Sequence, residues 1–211
     1  VYRRMARKFV EGRTRSLVIK PKHLRELLGP PPHSVSPAER VSSPGVAVGL
    51  AWTATGGELL MVESAGFEGS GLKLTGNVGN VLRESAETAL AAVRAHLHLD
   101  PFGQELHVHL PHAGIPKDGP SAGLPIALAL ASLLSGESLG PVAMSGEVTL
   151  SGRILPVGGL REKLLAARRA GIQRVLLPAG NEEEVRAIGR VADSLTLHFV
   201  ATLKEAWAAA R

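Results

Sequence analysis

The sequence predicts an α+β domain preceded by a short helical segment, on three observations. From about Gly45 to the C-terminus, strand-like and helix-like segments alternate. Within that body, the run from Ala122 to Leu134 carries no charge on any face, which marks a helix buried on all sides and therefore at the protein's centre. The first 32 residues are strongly basic instead, and a Pro/Ser-rich stretch over residues 33–44 separates them from the body. The expected organisation is a helical segment over 1–32, a linker over 33–44 and one domain over 45–211.

In chain order, Val1 to Leu28 reads as a basic helix, an extended stretch from Ser16 to Lys20, and a short helix from Pro21 to Leu28 that Gly29 ends. The consecutive prolines that follow favour extended polyproline geometry, so the linker is stiff. Strands are expected at Val46–Trp52, Leu59–Glu63, Leu106–Leu110, Val142–Met144, Val148–Leu155, Arg174–Leu177 and Leu195–Val200. Between them, Val81–Leu97 is amphipathic, with Leu82, Ala86, Ala89, Leu90, Val93 and Leu97 on one face and Arg83, Glu84, Glu87 and Arg94 off it. Gly180-Asn181 is read as the cap of a helix over Glu182–Gly189, and Lys204–Ala210 closes the chain. There is no internal repeat or low-complexity tract.

Two residues carry a candidate chemistry. Pro116-Lys117-Asp118-Gly119-Pro120-Ser121-Ala122-Gly123 puts a small hydroxyl, Ser121, between turn-forming residues and the mouth of the buried helix. Further on, Leu160, Lys163, Leu164, Ala167 and Gly171 fall on one helical stripe at i, i+3, i+4, i+7 and i+11, so Lys163 lies on an apolar face. Burial disfavours an ammonium and lowers its pKa, and a neutral lysine is a general base. A serine hydroxyl is a poor nucleophile until such a base removes its proton, and Ser-Lys pairs are one form of serine-hydrolase chemistry. Taken singly, each residue has an ordinary reading: a serine before an apolar helix caps it, and a helical lysine reaches out to solvent. Their joint occurrence and surroundings favour the chemical reading.

Those surroundings resemble the Lon protease family. Residues 116–123 are similar to its nucleophile signature, and Met144-Ser145-Gly146-Glu147 with Leu155-Pro156-Val157-Gly158-Gly159-Leu160-Arg161-Glu162-Lys163 to its downstream block with the base. The likeness runs from about Gly45 to the C-terminus and takes in Gly49-Leu50-Ala51-Trp52-Thr53, Gly56-Gly57-Glu58-Leu59-Leu60, Lys73-Leu74-Thr75-Gly76 and His107-Val108-His109. The resemblance implies the Lon proteolytic-domain fold of mixed sheets with packed helices. It also implies Ser121 as nucleophile, Lys163 as base, and the Ser145 hydroxyl as a group that orients the lysine. Arg7-Lys8 through Leu28-Gly29 looks similar to the end of that family's ATPase small subdomain. Substrates would be unfolded polypeptides, and the assembly a homo-hexamer.

The neighbouring residues support or qualify this. Asp118 is close enough in sequence to touch Lys163 or to cap a helix, and a contact with the lysine would raise its pKa and mark a resting state. The backbone amides of Gly119 and Ser121, at the positive end of a helix, are the candidate donors to an oxyanion. Pro125 removes one N–H from the helix entry and frees a carbonyl near Ser121. An extended peptide is expected to add as a strand between Ala65, Gly66 and Phe67 on one side and His112 to Ile115 on the other. Glu63 matches a family position near the site.

Composition narrows the classes. With 45% apolar and 20% charged residues, overall disorder is excluded. Zero cysteines exclude disulfides, thiolate metal sites and cysteine-protease chemistry. His107 and His109 share one face of a strand, but no third ligand accompanies them in sequence, so no metal is expected; the resemblance to the Lon family implies structural hydrogen bonding near the site instead. No Gly-x-x-x-x-Gly-Lys-Ser/Thr occurs, so no nucleotide cofactor is expected and activity would be ATP-independent. The net charge of +5 comes largely from the first 25 residues, and aromatics are only 3%, so nucleic acid is not an expected partner. No signal peptide or membrane span is read, and a cytoplasmic protein is expected. Three alternatives stand beside the peptidase. One is a fragment of an ATP-dependent Lon protease. Another is a non-catalytic Lon-like interaction module, and the third a small-molecule kinase of related fold, which would leave Lys163 on its apolar stripe unexplained.

Overall fold

A chain this apolar has to bury its charge-free segment first, and the fold is arranged around that segment. The computed structural model describes residues 2–12, 20–29, 43–54 and 56–211. It divides into two units, residues 1–36 and 37–211. The expected extended stretch at 16–19 and most of the linker, 33–42, lie outside the described residues.

In the first unit, α1 (Tyr2–Val10) and α2 (Pro21–Leu28) bury Met5 and Leu27, and the Arg4 guanidinium donates to the Leu27 carbonyl. Proline opens α2, where its missing N–H would be unpaired anyway, and Gly29, at φ +86°, closes it.

The second unit is built on a seven-stranded mixed sheet. Its strands are β1 (Val46–Thr53), β2 (Gly56–Glu68), β3 (Gly71–Thr75), β4 (Gln104–His109), β5 (Val142–Met144), β8 (Arg174–Pro178) and β9 (Thr196–Val200), in the spatial order β3-β4-β2-β1-β5-β8-β9. β1, β2 and β4 run antiparallel to their neighbours within that trio; the pairs β3–β4, β1–β5, β5–β8 and β8–β9 are parallel. β6 (Glu147–Val148) and β7 (Ile154–Leu155) form a separate hairpin. The helices are α3 (Asn80–Ala92), extended by a π-helical turn over Val93–Leu97, α4 (Gly123–Ser135), α5 (Leu160–Arg169), α6 (Glu182–Ile188) and α7 (Leu203–Ala210).

α4 is the charge-free segment, and its residues from Gly123 to Ser132 are buried. It packs on β1, β2 and α3, while α5 packs on β1 and β2. The two helices take opposite faces of the sheet. A Cβ on Gly49 would meet the Pro125 ring of α4 and one on Gly57 would collide with the Glu162 carbonyl of α5; Gly57 pairs with Trp52, which alternation turns away from Gly49.

Four expectations need correction. β3 was not anticipated, because a five-residue edge strand has little pattern of its own. Val148–Leu155 is not one strand: the Thr149 N–H donates to the Arg153 carbonyl and Gly152 takes φ +72°, which turns the chain between β6 and β7. Gly171 is not on the α5 stripe; the helix ends at Arg169, and Gly171 is exposed at φ +75° in the turn that stops it. The Asn181 side chain does not cap α6 but acts elsewhere, as described below.

Candidate active site

Ser121 stands in a 3₁₀ turn over Pro120–Ala122 that leads directly into α4. The cap residues of the turn and of α4 are Gly119 and Ala122, and neither helix start makes a side-chain cap hydrogen bond. The ordinary reading of a serine here, an N-cap, is therefore not the role it plays.

The backbone around Ser121 is fixed from three directions. Pro125 denies the Ser121 carbonyl its usual helical donor, and that carbonyl accepts instead from Gly146 N at 3.0 Å and from Ser145 Oγ at 3.3 Å. Leu124 N returns a bond to the Gly146 carbonyl at 2.9 Å, so the residues after β5 and the start of α4 are laced together. From α3, the Ser85 hydroxyl donates to the Pro120 carbonyl at 3.2 Å. Ser145 is fully buried, and its one donor goes to the backbone of Ser121.

Asp118 caps a helix, though not the one that follows it. Its Oδ1 accepts from Leu82 N, in the first turn of α3, and from Gly119 N, both at 2.9 Å. The Gly119 amide, one of the two candidate oxyanion donors, is thus engaged by a carboxylate in this state, and it must exchange acceptors before it can serve an oxyanion.

Lys163 is placed by α5, which starts after Gly159 in the left-handed region at φ +69°. It is 2% exposed, between Leu160 and Leu164 on the buried stripe. Burial lowers its pKa from 10.5 to about 8, against a smaller opposing pull from the Glu184 carboxylate. The loop before α5 is held by Asn181, which is 3% exposed: its Oδ1 accepts from Val157 N at 2.9 Å and its Nδ2 donates to Val157 O and to Glu184 Oε2, both at 3.1 Å. The amide therefore clamps the approach to the lysine helix and holds the acid that acts on the lysine. On the other flank, Gly57 lets the β1–β2 hairpin close onto the α5 backbone, and Arg169 donates to the Gly57 carbonyl.

Ser121 and Lys163 line one cavity of about 580 Å³. Asp118 and Gly119 line it too, as do His112 and Ile115. Its apolar walls come from Leu50, Trp52, Leu59 and Val157, which lie in the segments that carry the resemblance, and from Met61, which lies outside them. The predicted peptide-binding residues Ala65, Gly66 and Phe67 do not line this cavity; they pair with His107, Leu106 and Glu105 of β4 further along β2. Glu63 lies opposite His109 in the same ladder. Thr75 Oγ1 stands between His107 Nε2 at 2.8 Å and His109 Nδ1 at 2.7 Å, and no group of three metal-ligating side chains occurs among the described residues. No helix among those residues is long and apolar enough to cross a membrane.

The family model of the Lon protease (S16) C-terminal proteolytic domain matches residues 18–210. "Lon protease 2" of Sorangium cellulosum (strain So ce56) is 47% identical over 97% of this chain and 27% of its own length. The Lon protease of Aquifex aeolicus (strain VF5) is 46% identical over 97% and 27%. "Lon protease homolog 2, peroxisomal" of Bos taurus is 46% identical over 78% and 21%. The chain spans about a quarter of the length of the curated relatives it matches. By sequence match and by fold, the chain belongs to the family of Lon protease C-terminal proteolytic domains.

Proposed function

We propose that the chain is a serine endopeptidase that cuts unfolded polypeptides with a Ser121-Lys163 dyad and, as it stands, without ATP. The observation that carries this is a buried lysine of pKa about 8 lining the same cavity as a serine whose hydroxyl caps no helix, within a Lon proteolytic domain. Neutral Lys163 takes the proton of Ser121 Oγ as the oxygen attacks the scissile carbonyl. The Gly119 and Ser121 amides receive the oxyanion once Gly119 N has left Asp118. The protonated lysine then passes its proton to the leaving amine, which departs and leaves an ester on Ser121. Water, deprotonated by the same lysine, attacks the ester and regenerates the hydroxyl. Ser145 supports the dyad by holding the Ser121 carbonyl, and its lone pairs are the acceptors offered to the lysine. Substrate lies along the cavity against His112 and Ile115, with Ala65 to Phe67 farther along β2.

The test is cleavage of casein and of a fluorogenic peptide by the chain and by Ser121→Ala. The wild type should cut both, and the variant neither. Turnover retained in Ser121→Ala would sink the dyad. A second reading is favoured by the length of the relatives: the chain acts as the proteolytic part of a longer, ATP-driven Lon protease. Casein hydrolysis by the isolated chain without ATP supports the first reading; cleavage of short peptides with casein left intact supports the second. The working assembly is proposed to be a homo-hexamer in the cytoplasm.

A further inference from the structure

The motif that carries Ser121 contains a second lysine that the proposed reaction does not use. Lys117 N donates to the Asn77 carbonyl at 2.9 Å, and Gly79 N donates to the Lys117 carbonyl at 2.8 Å, so its backbone is registered against the segment that follows β3. Its side chain turns inward. Nζ donates to three main-chain carbonyls: Gly76 at 2.9 Å, His112 at 2.8 Å and Ile115 at 3.1 Å. An ammonium has three N–H donors, so all are taken by the backbone and none is left over for a substrate. Burial lowers its pKa below 10.5, in keeping with a group withdrawn from water.

Two of those carbonyls belong to the loop 111–116, whose Pro111, His112, Ile115 and Pro116 form a wall of the cavity containing Ser121 and Lys163. That loop has no burial to hold it, since residues 112–116 are all exposed. It also carries a conformational cost, because His112 sits in the left-handed region at φ +65°, where a side chain is disfavoured. Something has to over-determine its shape, and the three-way ammonium contact ties it to Gly76 at the end of β3.

We propose that Lys117 is a positioning residue whose ammonium serves as a built-in cation, gathering the carbonyls of Gly76, His112 and Ile115 so that loop 111–116 stands ready as the substrate-contacting wall of the cavity. The proposal rests on the peptidase reading above. It acts on binding rather than chemistry, because its three Nζ donors are all spent on main-chain carbonyls although the residue itself lines the cavity.

The test uses the full chain, with Lys117→Met and Lys117→Arg, steady-state kinetics on a fluorogenic peptide, and hydrogen exchange at the amides of 112–115. In Lys117→Met, KM should rise about 10-fold or more while kcat stays within about 3-fold, the signature of lost binding shared by ground and transition states. The loop amides should exchange faster while those of α4 keep their protection. Lys117→Arg should behave alike, because a planar guanidinium cannot project three donors from one atom toward three carbonyls. Wild-type KM and wild-type loop exchange in Lys117→Met would overturn the proposal. So would full restoration by arginine, which would mean that charge alone matters. If the methionine variant does not fold, the arginine variant carries the same reading. A wild type that cuts no peptide defeats the peptidase reading, and loop exchange in the variants then tests the clasp by itself.

Discussion

At the scale of single residues, Lys163 decides most of what can be measured. A base with pKa about 8 is roughly one-tenth neutral at pH 7, so kcat/KM should rise about 10-fold between pH 7 and a plateau above pH 9. A profile flat across that range would argue against a lysine base. Lys163→Arg should be inactive, because guanidinium does not deprotonate at working pH. Stability follows from the same shift. The folded pKa lies below the unfolded value of 10.5, so the unfolded chain holds the extra proton between pH 8 and 10.5, and stability rises with pH across that window. Below pH 8 the full penalty is present. Lys163→Met should therefore abolish cleavage yet stabilise the fold at pH 7 by up to about 3 kcal/mol, with the gain shrinking toward pH 10. Urea unfolding of both proteins at the two pH values measures this; an unchanged gain across them would mean that packing, not charge, is responsible. At Ser121, a peptidyl boronate should form a covalent adduct, while thiol reagents and chelators leave activity intact.

At the scale of elements, the site depends on how closely the β1–β2 hairpin seats on α5. Gly57 is buried with an ordinary backbone, so its glycine identity is a matter of space alone: any Cβ would collide with the Glu162 carbonyl, one residue from Lys163. Gly57→Ala should cost about 1–3 kcal/mol by overpacking and lower kcat by displacing the lysine. Thermal unfolding and steady-state kinetics check both, and wild-type values for the variant would show that the hairpin moves without consequence. The elements also show which features were legible in the sequence. α4 and the Lys163 stripe were, because charge absence and 3.6-residue spacing are local patterns that burial imposes. The role of Asp118 as a cap could be read, but not that it caps α3, whose Leu82 amide is brought to it only by the tertiary fold. Asn181 was read as a local cap for the same reason, whereas its partner Val157 is 24 residues away. β3 owes its existence to parallel pairing with β4 across the whole of α3, which no short window of sequence reports. The pairing of Ala65 to Phe67 with β4 is likewise a tertiary contact that no local stretch of sequence reports.

At the scale of the whole molecule, the remaining question is assembly and energy. A ring needs a heterologous interface, with two different surfaces on each subunit, and closes when the rotation between neighbours divides the circle. The sheet of the second unit ends in two different edge strands, β3 on one side and β9 on the other. The expected outcome is a hexamer, weak in isolation, that cuts unfolded chains and short peptides and spares folded proteins. Light scattering over a concentration series reads the first part, and a monomer at high micromolar concentration would defeat it. The second part turns on nucleotide. The sequence contains no Gly-x-x-x-x-Gly-Lys-Ser/Thr to cradle a triphosphate, so ATP should change neither the rate nor the products of casein hydrolysis by this chain. Acceleration by ATP would require a nucleotide site of another kind within these 211 residues and would overturn the energy-independent reading, while leaving the dyad to be judged by Ser121→Ala.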